Sequence, residues 1–177
     1  MARHLIALLP ANGQPWRFAV ITAGAVTLLS PQETAASSDE VTVIVPATEV
    51  AISTVRLVGA RKADWLRTAR FAVEDDIAVP VEGLHVAIDQ HRNSTGKGTV
   101  CMVARPVMED WMRRLSEAGL EDARLVPDVT LLKAGSAPLE IGDRILVAGE
   151  DKPFAIDKSL PSELVSALMQ RAGAEPE

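Results

Sequence analysis

The chain has 177 residues, with 18 Lys or Arg against 24 Asp or Glu and a net charge of −6. Apolar residues make up 47% but aromatics only 3%, with no tyrosine, so any core must be built from Val, Leu, Ile and Ala. An acidic chain without a basic block lacks the concentrated cationic surface that nucleic acid or a polybasic membrane contact needs.

The first predicted strand is His4 to Leu9, followed by a turn at Ala11-Asn12-Gly13-Gln14, where Asn-Gly suits a tight hairpin. No apolar run reaches the ~18 residues that span a bilayer. The run LIALLP is too short for a signal sequence and Pro10 ends it, so the chain reads as soluble. Trp16 to Ile21 returns, and Ala25 to Leu29 follows a turn at Gly24. Ser30 to Glu40 is small and polar, a surface loop. Val41 to Val45 is apolar without alternation, which predicts a central strand stopped by Pro46. Glu49 to Leu57 is a further strand.

Arg61 to Pro80 predicts the first helix. Trp65, Leu66, Ala69, Ala72, Val73 and Ile77 share one side of it, with Arg67, Arg70, Phe71 and Glu74 on the other. The helix then runs into Glu74, Asp75 and Asp76, and Pro80 forbids much continuation. Acidic residues at a helix C-terminus oppose the helix dipole. They read either as a solvated helix end or as a surface for a basic partner.

Leu84 to Ile88 and Thr99 to Ala104 are the next strands, joined by the polar link DQHRNSTGKG. Pro106 opens a second helix at its first position, where a missing N–H costs nothing. Val107, Met108, Trp111, Met112, Leu115 and Ala118 form its apolar stripe, and Gly119 caps it. Glu109–Arg113 and Asp110–Arg114 are expected as exposed pairs. With Arg124 to Val126 following closely, strand, helix and strand read as a parallel βαβ unit. Val129 to Leu132, Leu139 to Ile141, Arg144 to Ala148 and Phe154 to Ile156 are short strands. Ser159 is the expected cap of a last helix, with Pro161 and Glu163 in its first turn. The organisation is one domain: a main mixed-sheet lobe over 1–128 with two helices, a strand-rich segment with a helix over 129–172, and a tail over 173–177.

Catalytic and metal motifs are scarce. His4, His85 and His91 are far apart, and neither H-x₃-H nor C-x₂-C spacing occurs, so no metal site is expected. The one cysteine, Cys101, lies in the apolar run TVCMVA and reads as a buried, reduced, cytoplasmic thiol. Ser94-Thr95-Gly96-Lys97-Gly98 lacks the first glycine of a phosphate loop and precedes a strand, where the mechanism needs a helix N-terminus. No catalytic residue and no cofactor is assigned.

VTVIVP at Val41 to Pro46, then Glu49-Val50, Val55-Arg56-Leu57 and a helix ending AVEDDIAVPVEGLHVAI, resemble the cytoplasmic region of the type II secretion system protein L family. The blocks are the Val45-Pro46 step, Glu74 to Ala78 as E-D-D-I-A, and Val81 to Ala87. Trp111 to Val129, the turn Gly142-Asp143-Arg144 and the helix start at Leu160-Pro161 are similar again. The likeness covers most of Val41 to Leu168.

The resemblance implies an α/β, mixed-sheet body of the ribonuclease H-like, actin-like ATPase fold without a functional nucleotide site. The first hairpin, LLPANGQPWRF, has no Asp and one Gly, so an Mg²⁺·phosphate site would lack its carboxylate. The implied role is a non-enzymatic scaffold at the cytoplasmic face of the bacterial inner membrane. Its implied partners are the secretion ATPase, through that enzyme's N-terminal domain, and other inner-membrane platform proteins. The membrane would be reached only through a region outside this chain. Phe71, Glu74, Asp75 and Asp76 are the candidate partner contacts. The rival readings are an actin-like nucleotide-binding enzyme and a self-associating scaffold, a homodimer with no ATPase partner.

Overall fold

The structure is a computed structural model, and it describes residues 3–11, 13–30, 40–59, 61–74, 80–89, 96–149 and 152–171. Asp75, Asp76, Ile77, His91 and most of the 30–40 and 89–98 links lie outside the described residues, as does the tail.

Three sheets form. The first has five strands: β1 (Arg3–Leu8), β2 (Arg17–Thr22), β3 (Ala25–Leu29), β4 (Glu40–Val45) and, from later in the chain, β8 (Arg124–Pro127). Their order is β3-β2-β1-β4-β8. β1 pairs antiparallel with β2, and β2 with β3, while β1 with β4 and β4 with β8 are parallel. The sheet is therefore mixed, and β4 is central, as its unalternating Val/Ile content predicts. The second sheet comprises β5 (Ala51–Arg56), β6 (Leu84–Ile88) and β7 (Lys97–Ala104), antiparallel in the order β5-β7-β6. The third comprises β9 (Leu139–Ile141), β10 (Arg144–Val147) and β11 (Phe154–Asp157), antiparallel with β10 central.

Helix α1 (Lys62–Glu74) lies on the second sheet, where Trp65, Ala69 and Val73 bury against Val55, Leu84, Val86, Val100 and Met102. Helix α2 (Arg105–Glu117) sends Trp111 and Leu115 into the main core with Leu5, Ala7 and Val43. Helix α3 (Ser162–Arg171) closes the third sheet through Met169 on Val147 and Ile156. At the end of α2, Gly119 takes φ 68° and the Leu120 N–H donates to the Leu115 carbonyl at 2.9 Å. That is the left-handed cap expected of this glycine.

Several sequence expectations are corrected. The βαβ unit does not form: β7 lies in the second sheet and β8 in the first, so α2 carries the chain between sheets. Periodicity and spacing cannot tell a crossover within one sheet from a passage to another. Val129 to Leu132 is not a strand; Asp128–Leu131 is a 3-10 turn, with the Thr130 hydroxyl donating to the Pro127 carbonyl at 2.7 Å. The strand expected from Glu49 starts later, after a 3-10 turn at Ala47–Glu49. Ala72, placed on the apolar stripe of α1, is exposed. Ser159 does not cap α3, which begins three residues on at Ser162. Instead the Asp157 carboxylate accepts the Ser159 N–H at 2.7 Å, and the Ser159 hydroxyl first, then this N–H, hold that carboxyl below its ordinary range.

Candidate partner surface

Helix α1 is set in place at its beginning. Gly59 has φ 115°, and a Cβ there would sit 2.5 Å from Asp64 Cβ, so the turn into the helix admits only glycine. The Trp65 indole N–H donates to the Gly59 carbonyl at 2.8 Å, tying the first turn of the helix to the loop. The Thr68 hydroxyl lies 2.8 Å from the Asp64 carbonyl. Asp64 also meets Arg61 at 3.5 Å and Arg67 at 3.8 Å, both across exposed geometry.

Phe71 lies near the other end and is 68% exposed, whereas Trp65 on the inner face is 9% exposed. The last turn of α1 carries no basic residue. Glu74 is the final helical residue, so Phe71 and Glu74 lie one turn apart at the same end. Asp75 and Asp76 follow directly in sequence, outside the described residues. Of the four candidate contacts, the structure thus brings two to one helix end and describes an exposed side chain at Phe71.

The first hairpin, where an actin-like enzyme would hold phosphate, is built differently. The Arg114 guanidinium, from α2, donates to the Pro10 carbonyl. Trp16 and Phe18 stack beside it with ring centres 6.1 Å apart. The expected Asp110–Arg114 pair forms, at 3.6 Å, but the Arg114 side chain is largely buried rather than exposed. Asp110 also meets Arg113 at 2.5 Å, and Arg113 reaches Glu117 at 2.6 Å rather than Glu109. These contacts hold the Asp110 carboxyl below its usual range, the Arg113 hydrogen bond first. Lys97 and Gly98 of the phosphate-loop look-alike lie in strand β7, with no helix N-terminus after them. Among the described residues no three His, Cys, Asp or Glu side chains cluster as metal ligands, and no helix is long and apolar enough to cross a membrane.

Sequence reasoning missed one constellation. Asp128 is 3% exposed, and its Oδ2 accepts from Arg144 Nε at 2.6 Å while Oδ1 accepts the Ala47 N–H at 3.1 Å. A buried carboxylate with a guanidinium and a backbone N–H has its charge and lone pairs met. It joins the end of β4, the end of β8 and strand β10. The signal was present: a valine-proline step, a V-P-D sequence and a G-D-R turn, three blocks noted separately, converge on this one ion pair.

Residues 17–177 match the family described as Type II secretion system (T2SS), protein L. The chain belongs to this family. Among protein L relatives, that of Dickeya chrysanthemi is 30% identical over 134 residues, 73% of this chain and 33% of that protein. That of Pectobacterium carotovorum subsp. carotovorum is 30% identical over 90 residues, 51% of this chain and 21% of that protein. The chain therefore spans a third or less of the length of these relatives. A solved structure, the cytoplasmic domain of EpsL, an inner membrane component of the type II secretion system of Vibrio cholerae, superposes with a TM-score of 0.68. It covers 99% of this chain and 78% of that one at 19% identity, a likeness of fold. The EpsL domain has the actin-like ATPase fold, and this protein L chain has the same mixed α/β architecture. A fold alone does not carry the nucleotide chemistry of its namesakes.

Proposed function

We propose that this protein L chain is a non-enzymatic scaffold of the type II secretion platform, acting at the cytoplasmic face of the inner membrane. It binds the secretion ATPase through that enzyme's N-terminal domain and joins other inner-membrane platform proteins. Family membership supports the setting. The observation that carries the contact is Phe71, an aromatic left 68% exposed on a helix that leads into an acidic run. Aromatic side chains supply much of the energy of protein interfaces, and flanking charge steers the encounter. In this reading Phe71 enters an apolar pocket of the ATPase domain, and Glu74, Asp75 and Asp76 face basic residues around it.

Titration calorimetry with the isolated N-terminal domain of the cognate ATPase tests this. Binding in the micromolar range is expected, weakened at least tenfold by Phe71→Ala. No heat at tens of micromolar, with either protein in the syringe, removes the reading. Mg·ATP at millimolar concentration is expected to leave the melting temperature unchanged, since only a ligand bound by the folded state raises it. A clear upward shift returns the nucleotide-binding alternative.

A further inference from the structure

Among the described residues the first sheet has two apolar faces and one helix layer. Leu5, Ala7 and Val43 point to the face that α2 covers through Trp111 and Leu115. The register places Ile6, Leu8, Ala19, Leu28 and Ile44 together on the opposite face. Among the described residues no helix lies on that side: α1 and α3 pack on the other two sheets. Leu28 is 74% exposed and Val26 66%, and both belong to edge strand β3. A groove of about 360 Å³ runs from Leu28 and Ile44 to Leu131 and Leu139, which are also exposed. Parallel pairing, as in β1–β4 and β4–β8, occurs mainly in folds whose sheets carry helices on both faces. Val26, Leu28, Leu131 and Leu139, exposed around half-buried Ile6, Leu8 and Ile44, make an apolar patch of the kind that marks a binding surface.

The charges on the face indicate what covers it. Arg17 stands beside Leu8 on β2, and Arg124 stands beside Thr42 on β8, so the two occupy opposite corners of the apolar field. Both are exposed, unlike the buried Arg144 that pairs with Asp128 at the edge of the groove. His4 is engaged with the Thr42 hydroxyl at 2.9 Å, and Glu40 lies one row beyond, beside His4. From Arg17 to Arg124 is three strand spacings and one two-residue step, about 16 Å. That is about three turns of helix.

We propose that this face receives an amphipathic helix of another protein, about three turns long, whose apolar stripe is bracketed by a carboxylate near each end. The stripe packs on Ile6, Leu8 and Ile44 and on Leu28 just past Arg17, and the carboxylates meet Arg17 and Arg124. The surface is separate from the end of α1, so it stands or falls independently of the ATPase contact proposed above.

The test is an NMR titration of the 177-residue chain with two synthetic fourteen-residue helical peptides. They share a leucine stripe and differ only in carrying Glu or Lys at both ends. The expected result is shift changes at Ile6, Ala19, Leu28 and Ile44, with the Glu-ended peptide at least tenfold tighter. Leu28→Asp, at an exposed position that leaves the core intact, abolishes both responses. Arg17→Glu with Arg124→Glu reverses the preference. No response at millimolar peptide, equal affinity for both peptides, or changes confined to α1 overturns the proposal. So does a dimer in sedimentation, or binding to anionic vesicles, that Leu28→Asp removes, since either gives the face a different occupant.

Discussion

Helices α1 and α2 have the same length, thirteen residues each, and opposite fates. α2 is held along its whole course. Pro106 opens it, Trp111 and Leu115 enter the main core, Arg114 grips the first hairpin, and Gly119 ends it. α1 is held at its start, by Gly59 and the Trp65 indole, and along one face by a smaller core. Its far end presents Phe71 and leads into acid. One helix joins the sheets of the body to one another; the other is mounted on the body and shows its far end outward. The difference teaches that amphipathicity alone, common to both, does not say which helix is scaffold and which is surface. The contacts at the ends do.

The largest expected effect on this contrast lies in the body that α2 is built into. Asp128→Ala leaves Arg144 buried without its partner and is expected to cost about 3–5 kcal/mol, read from urea unfolding. The double change Asp128→Leu with Arg144→Met should recover most of that loss. A single variant as stable as the parent would mean that the pair joins nothing.

Cys101, half-buried in β7, sharpens it next. Burial, assisted by the Asp89 charge, pushes its thiol up to about 11 from 9.0. At pH 8 the folded chain therefore holds about a hundredfold less thiolate than the unfolded one, and iodoacetamide should alkylate it about a hundredfold more slowly. The unfolded thiol loses its proton first, so stability should fall as pH rises from 9.0 towards about 11. Equal alkylation rates in buffer and in urea would place this thiol in solvent.

Gly59→Ala attacks the α1 mounting. The forced left-handed backbone and the 2.5 Å approach to Asp64 should cost about 1–3 kcal/mol. Hydrogen exchange should then lose protection in α1 and keep it in α2; equal loss in both would erase the distinction. Phe71→Ala is the mildest change. At an exposed position it should alter stability by less than about 0.5 kcal/mol. It should still weaken ATPase binding about tenfold, the signature of a surface rather than a core residue.

Much of the fold was legible in the chain. Val41 to Val45 reads as a central strand because its apolar run lacks alternation, and β4 lies between β1 and β8 in the first sheet. The span of α2 followed from Pro106, an apolar stripe and Gly119. The βαβ reading failed because Thr99 to Ala104 and Arg124 to Val126 are compatible with one sheet or with two, and only pairing partners distinguish them. Arg114 is half legible for a similar reason: its i, i+4 acid is visible in sequence and pairs with it, whereas the Pro10 carbonyl, 104 residues away, is not. Of the candidate site, Phe71 was identified from helical phase, and its exposure agrees. Asp128 escapes sequence reasoning because a carboxylate after proline looks like a turn until its partner is brought to it.

Local chemistry, written along the chain, determined the segments: which runs are strands, where two helices begin or end, and that the first hairpin lacks the carboxylate of a phosphate site. The tertiary structure alone decided which strands share a sheet, which arginine is buried, and which apolar face is left open. Secondary structure follows from neighbours a few residues apart, but pairing, ion-pair burial and coverage depend on groups distant in sequence. Their meeting is a property of the folded chain.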